Sequence, residues 1–432
     1  MKSRYAETTV ICPRCGVSHP ARIEQTGREA IGRIDCPQGQ LTVRISSDAR
    51  MYFSMRSRSD CCELPEGFST RGQNFLLSLT RDCNLRCPVC YAEAGPGLED
   101  SAISFEEAVR RMKEARKLGA RRIHLTGGEA LLHPEFPRIL RAARSMGLQP
   151  LLVSNGLQIA REPGLARKLK KAGVRQVSLQ LDGFRPEVNR LMRGADLAEE
   201  KRRAARAVLD AGMALGLVAT LTRHNLDELP AIVEFGLSLA PGLRTIIFQA
   251  AAPTGRFDLP SSDVVDKEEI LAALLESGAL PGAGFSSVRP LPRVAPWGMA
   301  VHPDCVATLV VLTGRERPLM AERFLDFDTL HRRFRQMKGT GWIARNPGAL
   351  RHLLASARPG CRGKLLRHLA GFATGRGRFG MVIIGVGAYC RSDFLDEARL
   401  AGCGTREMTA VGAVSPCRLY LGADPTGKQP PA

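Results

Sequence analysis

Six short apolar runs, at residues 75–79, 123–126, 151–153, 177–181, 216–220 and 245–249, recur along the middle of the chain. Most are separated by stretches with helical periodicity. Strands that alternate with helices bury both faces by forming a parallel sheet with the helices packed outside. Right-handed crossovers then curl such a sheet toward a full or partial barrel. In that architecture functional groups sit where the strands end and the loops begin. The clearest helix opens with Ser104 and Glu107 in capping positions, runs through Phe105, Ala108, Val109, Met112 and Ala115 on one face, and stops at Gly119. A second is expected over 197–211.

The pattern changes after Arg256. A helix is expected over 264–276, a Gly- and Pro-rich segment over 282–298, buried strands at 306–312 and 381–389, and basic helical stretches around 324–337 and 349–369. With 432 residues the chain has room for two or three domains. No apolar run reaches the ~18 residues that span a bilayer. The first residues lack the apolar core of a secretory signal, so the expected location is the cytoplasm.

Thirteen cysteines need a reason. An odd number without an export signal argues against a disulfide framework. The spacings Cys12-x-x-Cys15 and Cys83-x-x-x-Cys87-x-x-Cys90 suit metal thiolates, while other cysteines serve as small core residues. The net charge is +19, and between Thr329 and Ser392 there are thirteen Lys or Arg and no Asp or Glu. Such a stretch suits an anionic partner, whether phospholipid headgroups, nucleic acid or a phosphorylated substrate, or else is a solvated face. Aromatics make up only 5% of the chain, which supplies few base-stacking platforms and disfavours nucleic acid.

The main chemical signal is TRDCNLRCPVCYAEA, directly after the first strand. Three thiolates on one loop can each hold one iron of a cubane cluster and leave the fourth iron open. A zinc site with a distant fourth ligand, or unrelated buried cysteines, are the alternatives. The second signal is LTGGEALLHPEF after the second strand. Gly127 and Gly128 permit close backbone approach to a ligand, and Glu129 supplies a carboxylate for an ammonium group.

Together these motifs resemble the radical S-adenosylmethionine (SAM) superfamily over about residues 74–256. The resemblance implies a fold class of α/β, with a partial (β/α)6 radical SAM barrel at 71–257. A small N-terminal metal-binding region would occupy 1–70, and a C-terminal α+β extension 258–432. It implies a [4Fe-4S] cluster on Cys83, Cys87 and Cys90, whose open iron chelates SAM, and reductive cleavage to a 5′-deoxyadenosyl radical that takes hydrogen from an unactivated C–H bond. Gly127, Gly128 and Glu129 would hold the methionine amino group. Ser154 and Asn155, with Ser178, Gln180 and Asp182, look placed for ribose or methionine contacts, and Arg193 resembles an arginine facing the SAM carboxylate. Val89 stands where the family often has an aromatic, with Tyr91 following instead. A ferredoxin or flavodoxin would be the reducing partner.

A narrower resemblance rests on TTVICPRCGVSHPARI, the Cys36-Pro37 turn, VSLQLDG, LMRG and FQAAAPTGR. These are similar to a subfamily of archaeal tetraether lipid synthases and pterin methyltransferase-like proteins. It implies a mononuclear iron or zinc site on Cys12, Cys15 and Cys36, with Cys61 or Cys62 as the fourth ligand. Cys305, Cys390, Cys403 and Cys417 would hold an auxiliary [4Fe-4S] cluster, while Cys361 would be unliganded. C–C coupling or alkylation of a lipid-like substrate is the leading expectation. A pterin or other polar substrate is the alternative, and a zinc-bearing nucleic-acid-binding protein the third reading. The basic residues Arg351, Arg362, Lys364 and Arg367, interleaved with Leu354, Leu365, Leu366 and Leu369, would then meet phospholipid at the inner membrane face, or form a core-packed helix with a wet basic side.

Overall fold

The computed structural model describes residues 5–57, 74–290, 302, 304–314, 317–335, 347–374 and 379–422. Cys61 and Cys62 lie outside the described residues.

Strands β1 (Tyr5–Ile11), β2 (Ser18–Thr26), β3 (Glu29–Ile34) and β4 (Leu41–Ser46) form an antiparallel meander, followed by helix α1 (Ala49–Ser57). Strict alternation does the work. Val10, Ile23, Ala30 and Ile34 point inward and close a small core with Tyr52 and Phe53 of α1.

The central unit then alternates strand and helix. Strand β5 (Asn74–Ser78) leads into the cysteine loop, which contains a two-residue strand, β6 (Val89–Cys90), and helix α2 (Phe105–Lys117) follows. Next come β7 (Arg122–Thr126), α3 (Phe136–Ser145), β8 (Gln149–Ser154), α4 (Leu157–Arg161), α5 (Leu165–Ala172), β9 (Gln176–Gln180), α6 (Pro186–Arg193), α7 (Ala198–Asp210), β10 (Ala214–Leu221), α8 (Leu229–Ser238) and β11 (Leu243–Ala250). The six long strands lie side by side and parallel in the order β5-β7-β8-β9-β10-β11. Each corresponds to one apolar run read from the sequence. Their inward residues, among them Leu77, Leu125, Leu152, Leu179, Leu217 and Phe248, belong to one continuous core. Helix α2 begins where expected, with Ser104 Oγ accepting from the Glu107 N–H.

The remaining elements are β12 (Arg256–Phe257), α9 (Lys267–Glu276), β13 (Arg289–Pro290), β14 (Val306–Thr313), β15 (Leu319–Met320), α10 (Phe327–Arg335), α11 (Pro347–Ala355), α12 (Arg362–Thr374), β16 (Gly380–Gly387), β17 (Leu395–Asp396), α13 (Glu397–Ala401), β18 (Thr405–Thr409), β19 (Gly412–Val414) and α14 (Pro416–Leu421). Several of these strands extend the central sheet. β16 adds in parallel beside β11, β14 pairs antiparallel with β16, and β18 adds in parallel beside β5. The late residues thus flank both edges of the parallel strands. The N-terminal meander is tied to the same chain by β1–β17 pairing, by the Tyr52 hydroxyl donating to Asp304 at 2.7 Å, and by the Ser47 N–H donating to Asp266 at 2.7 Å.

The basic stretch over 349–369 is helical and folded inward. Leu353 and Leu365 are buried with Val310 and Leu330, and Leu354 and Leu369 pack against that cluster, whereas Leu366 is 47% exposed. Among the described residues no helix is long and apolar enough to cross a membrane.

Candidate active site

Strand β5 delivers the chain to a loop that carries Cys83, Cys87 and Cys90. The first two are buried and the third half-buried. This loop is held by backbone. The Cys83 N–H donates to the Gly95 carbonyl at 3.1 Å, and the Gly95 N–H to the Arg81 carbonyl at 3.1 Å. Burial pushes the Cys83 thiol up to about 12 against a donated Leu85 N–H, and the charges of Glu129, Cys87 and Cys90 push the same way. Each thiolate on this loop opposes ionisation of the next, so a cation bound by them would offset that repulsion. That donor set fits iron, which binds cysteine as thiolate.

The Gly127–Gly128 turn explains itself in contact with this loop. Gly127 has φ 145°, and a Cβ there would collide with the Thr80 carbonyl oxygen. A Cβ on Gly128 would collide with the Asp82 carbonyl oxygen. The two glycines therefore seat strand end against cysteine loop, through Gly128 N–H to Thr80 O at 2.7 Å and Glu129 N–H to Asp82 O at 2.9 Å. The sequence expectation was close approach to a ligand; the close approach seen is to the loop that carries the cysteines.

Glu129 is buried behind that turn. Its Oε2 accepts from Ser154 Oγ at 3.0 Å and from the Asn155 N–H at 2.9 Å, while Oε1 has a long 3.4 Å contact from the Leu131 N–H. Oε1 thus keeps capacity for an ammonium group. Burial raises the Glu129 carboxyl above its usual range. Asn155 turns its side-chain amide onto Asn84 at 2.7 Å and toward Cys83 Sγ at 3.7 Å. Ser154, Asn155 and Glu129 therefore meet the cysteine loop at the ends of β7 and β8, as the motif positions predict.

Gln180 and Asp182 close the next strand end. Gln180 Nε2 donates to Asp182 Oδ2 at 2.5 Å, and the Thr220 N–H donates to Asp182 Oδ1 at 2.8 Å. Ser178 lies two residues earlier on the same face of β9 as Gln180, deeper in the sheet. Arg193, in the last turn of α6, is fully engaged by protein groups. It pairs with Asp182, donates to the Val89 carbonyl at 3.1 Å and to Thr220 Oγ1 at 3.1 Å, and bonds the Cys87 side chain. Its geometry braces the cysteine loop from below.

Two residues that sequence reasoning passed over complete this site. Lys201 of α7 is fully buried, and its Nζ donates to Gln180 Oε1 at 2.6 Å and to the Asn155 carbonyl at 2.5 Å. Burial, and secondarily Arg193, brings it down to about 8. Its one sequence signal is a lysine on the apolar helix face formed by Ala204, Ala205 and Val208, all buried. Arg256 ends the FQAAAPTGR run; in the structure β12 pairs with β6, and Arg256 hydrogen-bonds the Cys87 and Ala94 carbonyls. Beside it Tyr91 stacks edge-on against Tyr420 at 4.7 Å and lies 6.1 Å from Tyr389, an aromatic wall next to Cys90.

Two other cysteine groups come together. Cys12, Cys15 and Cys36 place their sulfurs within 4.8 Å of one another. Cys305, Cys390, Cys403 and Cys417, far apart in sequence, share one neighbourhood around the half-buried Arg399. Cys390 and Cys417 hydrogen-bond each other, Cys305 bonds Arg399, and Cys403 acts on Cys305. Arg399 Nε is buried there without a partner among the described residues. Cys361, half-buried, lies outside both groups, its thiol directed at the Arg323 carbonyl.

Residues 77–236 match the profile of the Radical SAM superfamily. The chain is 28% identical over 275 residues to 7,8-dihydro-6-hydroxymethylpterin dimethyltransferase of Methanocaldococcus jannaschii, a match covering 58% of this chain and 54% of that protein. It is 27% identical over 294 residues to PqqA peptide cyclase of Streptomyces rochei, covering 62% of this chain and 78% of that one. Against Fe-coproporphyrin III synthase of Methanosarcina barkeri it is 32% identical over 158 residues, covering 36% and 39%. The chain thus spans about half the length of the first of these relatives. The three relatives carry three different named activities.

Proposed function

We propose that the chain, whose residues 77–236 match the Radical SAM superfamily profile, holds a [4Fe-4S] cluster on Cys83, Cys87 and Cys90, binds SAM across it, and directs radical methyl transfer or C–C bond formation to a small polar substrate. The observation that carries this is convergence. The cysteine loop, the Gly127–Glu129 turn, Asn155 and the Gln180–Lys201 pair all meet at the C-terminal ends of adjacent parallel strands.

When bound, the cluster and SAM would supply an electron and a sulfonium whose cleavage yields the hydrogen-abstracting adenosyl radical. The residues do the positioning. Glu129 would accept from the methionine ammonium, while Ser154 and the Asn155 N–H fix its carboxylate. Lys201 ties Gln180 to Asn155, and its buried positive charge would favour the carboxylate of a bound SAM. Arg193 and Asp182 brace Cys87 and Val89 from beneath. Tyr91, Tyr389 and Tyr420 exclude water beside Cys90.

Cys305, Cys390, Cys403 and Cys417 would hold the auxiliary cluster, and the unpaired Nε of Arg399 fits a group that offers sulfur acceptors. A ferredoxin or flavodoxin is the proposed electron source. The polar substrate is favoured over the lipid-like one on two grounds. The pterin dimethyltransferase is a relative by sequence, and Leu353 and Leu365 of the basic helices are packed inside rather than offered to a bilayer.

Anaerobic purification with iron and sulfide counts, followed by reductive SAM cleavage, tests the proposal. Cys87→Ala is expected to abolish cleavage and to lower iron by about one cluster's worth. Retained cleavage in that variant would show that the assigned loop is wrong.

A further inference from the structure

We infer that the N-terminal meander carries a structural zinc site of three thiolates and one imidazole, in which His19 is the fourth ligand beside Cys12, Cys15 and Cys36. This site stands independently of the radical chemistry proposed above. The sequence expectation put the fourth ligand at Cys61 or Cys62, which lie outside the described residues; the geometry brings His19 to Cys15.

Two thiolates bound to one tetrahedral zinc at about 2.3 Å lie about 3.8 Å apart, and a thiolate and an imidazole nitrogen about 3.5 Å. Cys36 Sγ and Cys15 Sγ are 3.8 Å apart, and His19 Nε2 is 3.1 Å from Cys15 Sγ. All three sulfurs lie within 4.8 Å of one another, and His19 Nε2, outside that set, reaches it through Cys15. The loops are shaped for thiolates. The N–H groups of Arg14 and Cys15 donate to the Cys12 sulfur, and the Gln38 N–H donates to Cys36. The Cys12–Gly16 turn is closed by Gly16 N–H to Cys12 O at 2.8 Å and Cys12 N–H to Val17 O at 3.0 Å. His19 follows at once on β2, whose start is fixed by this turn. A closed set of three Cys and one His is a structural zinc donor set, and zinc has no redox chemistry.

What the metal would hold is a grip. Ile11, next to Cys12, pairs with Leu395, and Thr8 Oγ1 donates to Asp396 at 2.9 Å. Ser18 Oγ, next to His19, donates to Glu397 at 2.7 Å. Both ends of the knuckle therefore clasp the segment leading into α13, which bears Arg399 amid the late cysteines. Zinc ties the first sheet to that segment by fixing the turn that carries the contacts.

The experiment is zinc-edge X-ray absorption on the anaerobically purified full chain, with zinc affinity measured by chelator competition. Expected for the wild type are three sulfurs at about 2.3 Å and one nitrogen at about 2.0–2.1 Å. His19→Ala should lose the imidazole signal and weaken zinc binding at least about 100-fold, the upper end of what an outer-shell loss alone costs. His19→Cys should keep zinc with four sulfurs, which guards against simple misfolding of the alanine variant. Cys87→Ala should leave the zinc spectrum unchanged, so this inference and the cluster assignment fail separately. A wild-type spectrum without imidazole, an unchanged spectrum in His19→Ala, or stoichiometric iron in place of zinc on these thiolates would overturn it.

Discussion

Arg256 Nε donates to the carbonyl of Cys87 at 2.5 Å while its Nη2 donates to the carbonyl of Ala94, also at 2.5 Å. One guanidinium thus spans the cysteine loop, with both ends of the fork used. A lysine ammonium is a point donor without the fixed spacing by which the guanidinium fork spans the two carbonyls. Arg256→Lys is expected to retain part of the cluster and Arg256→Ala to lose most of it, since each carbonyl left unpaired costs about 1–3 kcal/mol. Iron per chain after anaerobic gel filtration reads this out. Equal iron in all three proteins would show that the fork does not hold the loop.

The glycine turn gives a steric prediction. A methyl group on Gly128 would meet the Asp82 and Arg81 carbonyls and the Ala94 side chain at once. Two of these are backbone atoms of the cysteine loop and the third is a Cβ fixed to it, so none can swing aside as a long side chain would. Gly128→Ala should therefore displace the loop and destabilise the chain by about 2 kcal/mol or more. The expected record is a lower thermal midpoint together with lost iron. A drop in iron alone, with the midpoint unchanged, would mean that the strain is confined to the loop.

Much of this arrangement was legible because its signals are local. Each of the strands β5 and β7 to β11 is an apolar run bounded by turn residues, and such runs announce themselves without knowledge of their partners. The three cysteines and Glu129 follow strand ends directly, so topology alone brings them together. What escaped notice depends on contacts between distant residues. Nothing near Arg406 says that β18 will pair with β5, because register is written across strands and not along them. Arg256 and Lys201 look like two more cations in a chain of 62 Lys and Arg; only the fold shows that they point inward. His19 was overlooked for another reason. A search for a fourth cysteine hides an imidazole four residues from Cys15.

Lys201 offers a test that separates SAM binding from cluster assembly. Its ammonium is enclosed, bonded to Gln180 and Asn155, and contacts neither the cysteine loop backbone nor a thiol by hydrogen bond. Lys201→Met keeps the length and removes the charge. Iron content should stay near wild type. SAM affinity should fall about tenfold or more, the value of one charge-assisted hydrogen bond of roughly 1.5–3 kcal/mol. Equilibrium dialysis with labelled SAM measures this directly. Loss of iron in step with SAM affinity would place Lys201 in the scaffold rather than in the SAM site.

His124 supplies a pH dependence whose sign can be worked out. It lies on β7 between Leu76 and Leu151, and its Nε2 is enclosed without a hydrogen-bond partner among the described residues. Burial, with Arg122 adding to it, lowers this imidazole from 6.5 to about 4. Because the folded value lies below the unfolded one, the unfolded chain takes up the proton first as pH falls. Stability contributed by the neutral ring is complete above pH 6.5 and declines as pH drops from there toward 4. His124→Phe removes the titrating group and the orphaned nitrogen together. Urea midpoints of the cluster-free wild type and variant should run parallel above pH 7 and separate below about 6.5, with the variant losing less. Curves that stay parallel down to pH 4 would mean that the ring is solvated in the folded chain.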